Sequence, residues 1–442
     1  MSQGRSKSCW SILFTIIHAA VCCVQAQCDI VDVAYSFKTK KKGGIASVTV
    51  DTRTGVIVGE KVLLDEKDCR NPNKLRRSPD SLTLIATDES EKGPHLFVVD
   101  RRDPKHNWNI DLPAMPDELR VTGPYGIVTC ADDWIAWVDY HRGRVVSRWN
   151  VKGALHPAGN KPEDAHLVRD GRFAVVSFQK DSEKGKNRGN RLAIYDLPKP
   201  RLRADIQVVR NHPELHFQNN LQQRGPGPEV VLVSEETDTL LVTLDLYGAI
   251  LLTDWRAALE GRLRNSKYLP SSLDGSWGTA FPDRAGLLRV KGRICALVFN
   301  AGTQGGAALV DLKGRAIISR VATPPGLERP VFLESLTKAY SVCSGKTKKR
   351  ATNDVDKWNE PQKAIYEFRF EGDTSPEMKV RAFPLEMYAV KIAPINTESK
   401  LLLVAAGKKT DSADTLMVFD PRGRRVLDTR KAAGDIRRFE ND

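Results

Sequence analysis

Histidine is scarce in this 442-residue chain, with eight in all, so the places where imidazoles gather are the first to inspect for acid–base or metal chemistry. His156 stands near Glu163, Asp164 and His166, a set able to move a proton or ligate a divalent metal. Those residues lead into a β-rich run, so they fall where a connection enters a strand. A second pair, in His212-Pro213-Glu214-Leu215-His216, has the four-residue spacing that puts two imidazoles on one helix face. Proline after His212 is compatible only with a helix start, and no third ligand stands nearby. His212 and His216 therefore read as a solvated connection, with metal binding as the alternative. No Cys-x-x-Cys-His, Gly-x-Ser-x-Gly or Gly-x-x-x-x-Gly-Lys-Ser/Thr run is present, so haem attachment, a nucleophile elbow and a phosphate-binding loop lack their signatures.

The chain is basic, with a formal charge of +13, and the lysines cluster. Lys38, Lys40, Lys41 and Lys42 stand together with no acid. Lys180, Lys184, Lys186, Arg188 and Arg191 face only Asp181 and Glu183. Lys346, Lys348, Lys349, Arg350, Lys357 and Lys363 face Asp354, Asp356 and Glu360. Such clusters attract polyanions, with salt-sensitive affinity, although the corresponding Asp88-Glu89-Ser90-Glu91-Lys92 is acidic. Trp358 is the one tryptophan within these segments, which leaves little to stack on bases. The expected partner is a protein or an anionic polysaccharide, and nucleic acid is not expected.

What positions these residues is a repeat. A short apolar run ends in an acidic residue, a turn rich in glycine or basic residues follows, and a second run begins. Ala308-Leu309-Val310-Asp311 followed by Gly314 and Ile317-Ile318, and Leu416-Met417-Val418-Phe419-Asp420 followed by Gly423 and Val426-Leu427, are the clearest copies. Asp51, Asp100, Asp139, Asp196 and Asp254 end others, and Ile365 to Glu371 is a looser variant. A carboxylate there accepts hydrogen bonds from turn amides, and glycine supplies positive φ, so these aspartates read as turn formers. With further runs such as Phe173 to Ser177 and Leu401 to Ala405, each unit holds up to four strands, the pattern of a propeller.

Counting acidic-ended strands gives eight units, near 29–64, 79–113, 119–152, 162–209, 228–270, 279–323, 328–384 and 387–430, with seven as the alternative. The first unit lacks an innermost strand, and the surplus tail Gly434 to Phe439 is expected to supply it and close the ring. The lysine clusters fall in the same connection of each unit, and so on one face of the disc.

The apolar strand, Asp, turn Gly, apolar strand pattern resembles the broad superfamily of quinoprotein-like and tryptophan-aspartate-repeat-like propellers of exported bacterial proteins. That resemblance implies a fold and an exported setting, not an activity. Asp139, Gly143 and Trp149 echo a quinone-dehydrogenase repeat, but the other units lack the tryptophan. The adjacent cysteine pair common in those enzymes occurs only as Cys22-Cys23.

Residues 1–26 read as a secretory signal: Arg5 and Lys7, an uncharged run from Trp10 to Val24, then Val24-Gln25-Ala26. Export to the periplasm or exterior is expected, with 27–442 as the propeller and no membrane span after cleavage. Cys28 and Cys69, in polar surroundings, could then form a disulfide, whereas Cys130, Cys295 and Cys343 read as buried hydrophobes. Taken together, the sequence predicts an all-β, monomeric, non-catalytic scaffold without a cofactor. The alternative is a metal-assisted hydrolase or lactonase built on His156, Glu163, Asp164 and His166.

Overall fold

The computed structural model describes residues 30–440, apart from 67–68, 70, 91–92, 152–159, 170, 181–187, 209–225, 278–279, 303–304, 334–336, 345–361, 373–375, 397–399 and 410–411. Every strand joins one of eight four-stranded antiparallel sheets. The innermost strands lie against one another in seven of the eight neighbouring pairs of sheets, so the sheets are the blades of an eight-bladed β-propeller. Blades 2 to 8 follow one another along the chain. Blade 1 is composite: Val56–Glu66, Gly43–Asp51 and Ile30–Lys38 from one end, and Asp435–Phe439 from the other as its innermost strand. Tyr35 pairs with Phe439 and Lys38 with Asp435, which is the closure expected from the tail.

The core is divided in the same way. Eight clusters of buried side chains fill the wedges between successive blades. Trp137 from blade 3 and Tyr195 from blade 4 share one such wedge; Tyr340 from blade 7 and Phe419 from blade 8 share another. Because the middle strands of a blade bury both faces, they read as continuous apolar runs, as in Ala249–Asp254, whereas the outermost strands, such as Arg144–Asn150, alternate.

Several of the strand-end aspartates form turns as anticipated. Asp51 Oδ1 accepts the amides of Arg53 at 2.9 Å and Thr54 at 3.2 Å, and Asp311 Oδ1 those of Lys313 and Gly314, both at 3.1 Å. Asp100, Asp139 and Asp420 each accept one turn amide in the same way. Asp196 and Asp254 differ, since their carboxylates are taken by side chains, Arg201 and Arg203 in one case and Asn265 and Arg315 in the other. The left-handed turn position is Gly55 (φ 74°) in blade 1 and Gly143 (φ 65°) in blade 3, but Arg315 and Arg424 hold it in blades 6 and 8.

Blade 2 begins earlier than its apolar runs indicate, at Pro72–Arg77. The sequence Pro-Asn-Lys-Leu-Arg-Arg lines the axis and carries no strand-like alternation. Cys69 is fully buried beside Leu75 and Leu84 rather than in a polar loop, while Cys28, its expected partner, lies outside the described residues. Cys130, Cys295 and Cys343 are buried as anticipated.

Candidate functional site

The innermost strands share a local device. Pro72, Pro116, Pro162, Pro228 and Pro282 each pair near the end of the next strand, and in every case the register slips directly after the proline. Proline gives no ladder donor and is tolerated at a strand start, and the bulge that follows re-aims the next side chains. The amide two residues after the proline is then bound by a hydroxyl from the second strand. Lys74 donates to Thr87 at 2.9 Å, Glu118 to Thr129 at 3.1 Å, Asp164 to Ser177 at 3.2 Å and Val230 to Thr243 at 2.9 Å. Charged side chains at these positions, with others two residues on, make the wall of the central channel.

The wall is organised around two carboxylates on opposite sides of the ring. Glu118, in blade 3, is met by Lys74 and Arg76, both at 3.0 Å, from blade 2, and by Arg120 at 3.5 Å. Glu328, at the entry to blade 7, is met by Lys391 of blade 8 at 2.5 Å and by Arg438 of blade 1 at 3.6 Å. Burial alone would raise both carboxyls. The surrounding cations, Arg120 and Lys74 foremost at Glu118 and Lys391 and Arg438 at Glu328, hold both well below the usual carboxylate range.

Arg329 is the exception in this network. It forms no hydrogen bond and no ion pair among the described residues, and it is half-buried in the channel wall. Burial, then the nearby Arg120, pulls its guanidinium down to about 10. The other charges that act on it, Asp164, Glu118 and Arg76, belong with Arg120 to blades 2 to 4, so Arg329 reaches from blade 7 across the axis. Beside it is a cavity of about 60 Å³ lined by Lys74, Arg76, Glu118, Arg284, Glu328, Arg329 and Arg438. Five cations thus face two carboxylates.

Glu163, Asp164 and His166, singled out from sequence, sit on the innermost strand of blade 4, Asn160–Val168. Asp164 is an anchor rather than an open ligand: Oδ1 accepts Arg120 at 2.8 Å and Oδ2 the Val231 amide at 3.3 Å. A divalent cation there would have to displace Arg120. Burial, then Arg120, pushes the His166 imidazole down to about 4, so it is neutral at physiological pH. Among the described residues, no three His, Cys, Asp or Glu side chains converge as a metal site. His156, His212 and His216 lie outside the described residues, as do Lys184, Lys186, Lys346, Lys348, Lys349 and Arg350. Arg188 opens a strand of blade 4. Lys40 and Lys41 are exposed, and Lys42 pairs with Asp65.

The sequence reasoning missed Arg329, Glu328, Glu118, Arg76 and Lys74. Their signal was present in the spacing Pro72-x-Lys74-x-Arg76, Pro116-x-Glu118-x-Arg120, Pro162-x-Asp164-x-His166 and Pro282-x-Arg284.

Comparison with known proteins agrees with the architecture. No protein-family profile matches the chain, and none of the curated proteins does. Many solved structures resemble it in fold. Dihydro-heme d1 dehydrogenase NirN in complex with DHE matches with a TM-score of 0.63 at 10% identity, covering 93% of this chain and 75% of that one. The C-terminal WD40 domain of Sif2 gives 0.54 at 13% identity, over 86% and 91%. The periplasmic gluconolactonase PpgL of Pseudomonas aeruginosa gives 0.51 at 15% identity, over 93% and 98%. At these identities the likeness is one of fold alone, the β-propeller.

Proposed function

We propose that the protein is an exported, non-catalytic binding propeller that receives the anionic group of a protein, polymer or smaller ligand in its central channel. The observation that carries this reading is Arg329, a half-buried guanidinium with no ion pair among the described residues, beside a cavity where cations outnumber carboxylates five to two. Like charges gathered at one cavity repel one another unless counter-charge meets them, and an incoming anion would supply it.

Two further features support binding over acid–base chemistry. Glu118 and Glu328 are held well below neutrality and His166 at about 4, whereas a general acid or base works best near the operating pH. The charged positions also cluster near the starts of the innermost strands, which pair with the ends of the second strands. The connection that follows Ile30–Lys38 leaves from such an end with Lys40 and Lys41 exposed, so its field would draw anions towards the same face.

Calorimetric titration of the protein at low ionic strength with citrate, phosphate, sulfate and heparin oligosaccharide tests this. At least one is expected to bind saturably, one per chain, and to lose most of that affinity in Arg329→Gln. Absence of binding by all four, or binding indifferent to Arg329, would sink the proposal.

A further inference from the structure

The channel wall also says which anion fits. We infer that the site selects a dianionic tetrahedral oxyanion, the terminal phosphate of a monoester or its free inorganic form, over a carboxylate; this rests on the channel-binding reading above.

Size sets the first limit. A water site takes roughly 10–15 Å³, so a cavity of about 60 Å³ holds about four to six atoms of that size. That admits a phosphate group.

Charge sets the second. Lys74, Arg76, Arg284, Arg329 and Arg438 against Glu118 and Glu328 leave an excess of three positive charges. Adding the bonded neighbours Arg120, Lys391, Asp164 and Asp283 introduces two charges of each sign and leaves that excess unchanged. A monoanion would neutralise one of the three in a medium that screens poorly, and a dianion two.

Direction is the third. The lining cations come from blades 1, 2, 6 and 7, around the axis rather than along one wall. Donors arriving from several sides suit four tetrahedral oxygens better than the two coplanar oxygens of a carboxylate, which a single guanidinium fork satisfies.

The pH behaviour separates this from general attraction to anions. His166 is pushed down to about 4 and Arg329 to about 10, and the surrounding cations hold the Glu118 and Glu328 carboxyls well below their ordinary range, so these groups keep their charge between pH 5 and 7.5. A phosphate monoester gains its second charge near pH 6, while sulfate is a dianion throughout. Calorimetry on the full chain with methyl phosphate, inorganic phosphate, sulfate, dimethyl phosphate and acetate is the test. Methyl phosphate is expected to bind about tenfold or more tightly at pH 7.5 than at pH 5, each tenfold being the affinity step of about 1.4 kcal/mol. Sulfate affinity should be level across that range, and dimethyl phosphate and acetate should bind weakly at both. Inorganic phosphate matching methyl phosphate would assign the site to the free ion; a clear preference for the ester would assign it to a phosphorylated ligand. Equal binding of acetate, or a monoester affinity that does not change with pH, overturns the dianion assignment and leaves channel binding intact. No binding by any anion overturns both. These comparisons use the unaltered protein, and Arg329→Lys, which keeps the charge, should recover part of what Arg329→Gln loses.

Discussion

Closure of the ring depends on Glu440, and its replacement gives an outcome that can be worked out in advance. The carboxylate is fully buried: Oε1 accepts the Ala34 amide at 3.0 Å and Oε2 the Arg101 guanidinium at 2.7 Å. In Glu440→Ala the Ala34 amide is left without its partner, which costs about 1–3 kcal/mol. Arg101 keeps its bond to the Asp32 carbonyl at 3.2 Å and is partly solvated, so its loss is smaller, about 1 kcal/mol. The expected total is about 3 kcal/mol, confined to blade 1 because each blade packs only on its neighbours. Burial, opposed by Arg101, raises the Glu440 carboxyl above its ordinary range, so the folded state holds the ionised form at a cost. The sign follows: this contribution is greatest below the unfolded pKa and is lost as pH rises through the folded one. Glu440→Gln, neutral and of the same shape, is therefore expected within about 1 kcal/mol of the parent at pH 7. Urea unfolding, together with hydrogen exchange of the segment containing Ala34, would measure both. Equal damage from Gln and Ala would refute the reasoning, because it would show that the ion pair rather than the amide bond carries the closure.

Other outcomes follow from the same contacts. His166 is held neutral, with a depressed pKa, so its contribution is complete above about pH 6.5 and is lost as pH falls towards 4, by at most about 3 kcal/mol. Urea midpoints for His166→Asn should therefore fall less steeply across that window than those of the parent. Asp311→Ala removes a carboxylate that binds two turn amides and Arg293 and is expected to cost about 1–3 kcal/mol. Asp196→Ala, which loses only arginine partners at the surface, should cost under about 1 kcal/mol in the same denaturation assay. Phe419→Ala empties part of the wedge between blades 7 and 8 and is expected to lower stability by about 3–5 kcal/mol, with exchange rising first in those two blades.

The blade count and the closure were legible because both rest on apolar runs. Leu416 to Phe419 and Ala308 to Val310 are buried on both faces, and a run with no polar interruption announces itself. Ile436 was recognisable as surplus because every other strand already had a set. The innermost strands were less legible, for the same physical reason: Pro72–Arg77 faces the axis, so its charges break the pattern by which strands are found. Asp164 stood out in the sequence as part of a polar cluster, but its engagement with Arg120 comes from an adjacent blade. Arg329 is harder still. Its isolation results from the whole ring bringing blades 2 to 4 opposite blade 7, and no local spacing encodes that.

The composite blade also sets a schedule. Ala34 and Glu440 are 406 positions apart, whereas blades 2 to 8 are each made from neighbouring hairpins that can assemble as they emerge. During synthesis the strand Ile30–Lys38 is among the first made and the last to find its inner neighbour. At about 5–20 residues per second, the ribosome leaves that edge without its neighbour for roughly 20–80 s. For that interval the nascent chain displays an apolar strand with an open ladder, the geometry that any extended peptide can join. Asp435–Phe439, the last of the described strands, is thus also the one that covers this open ladder.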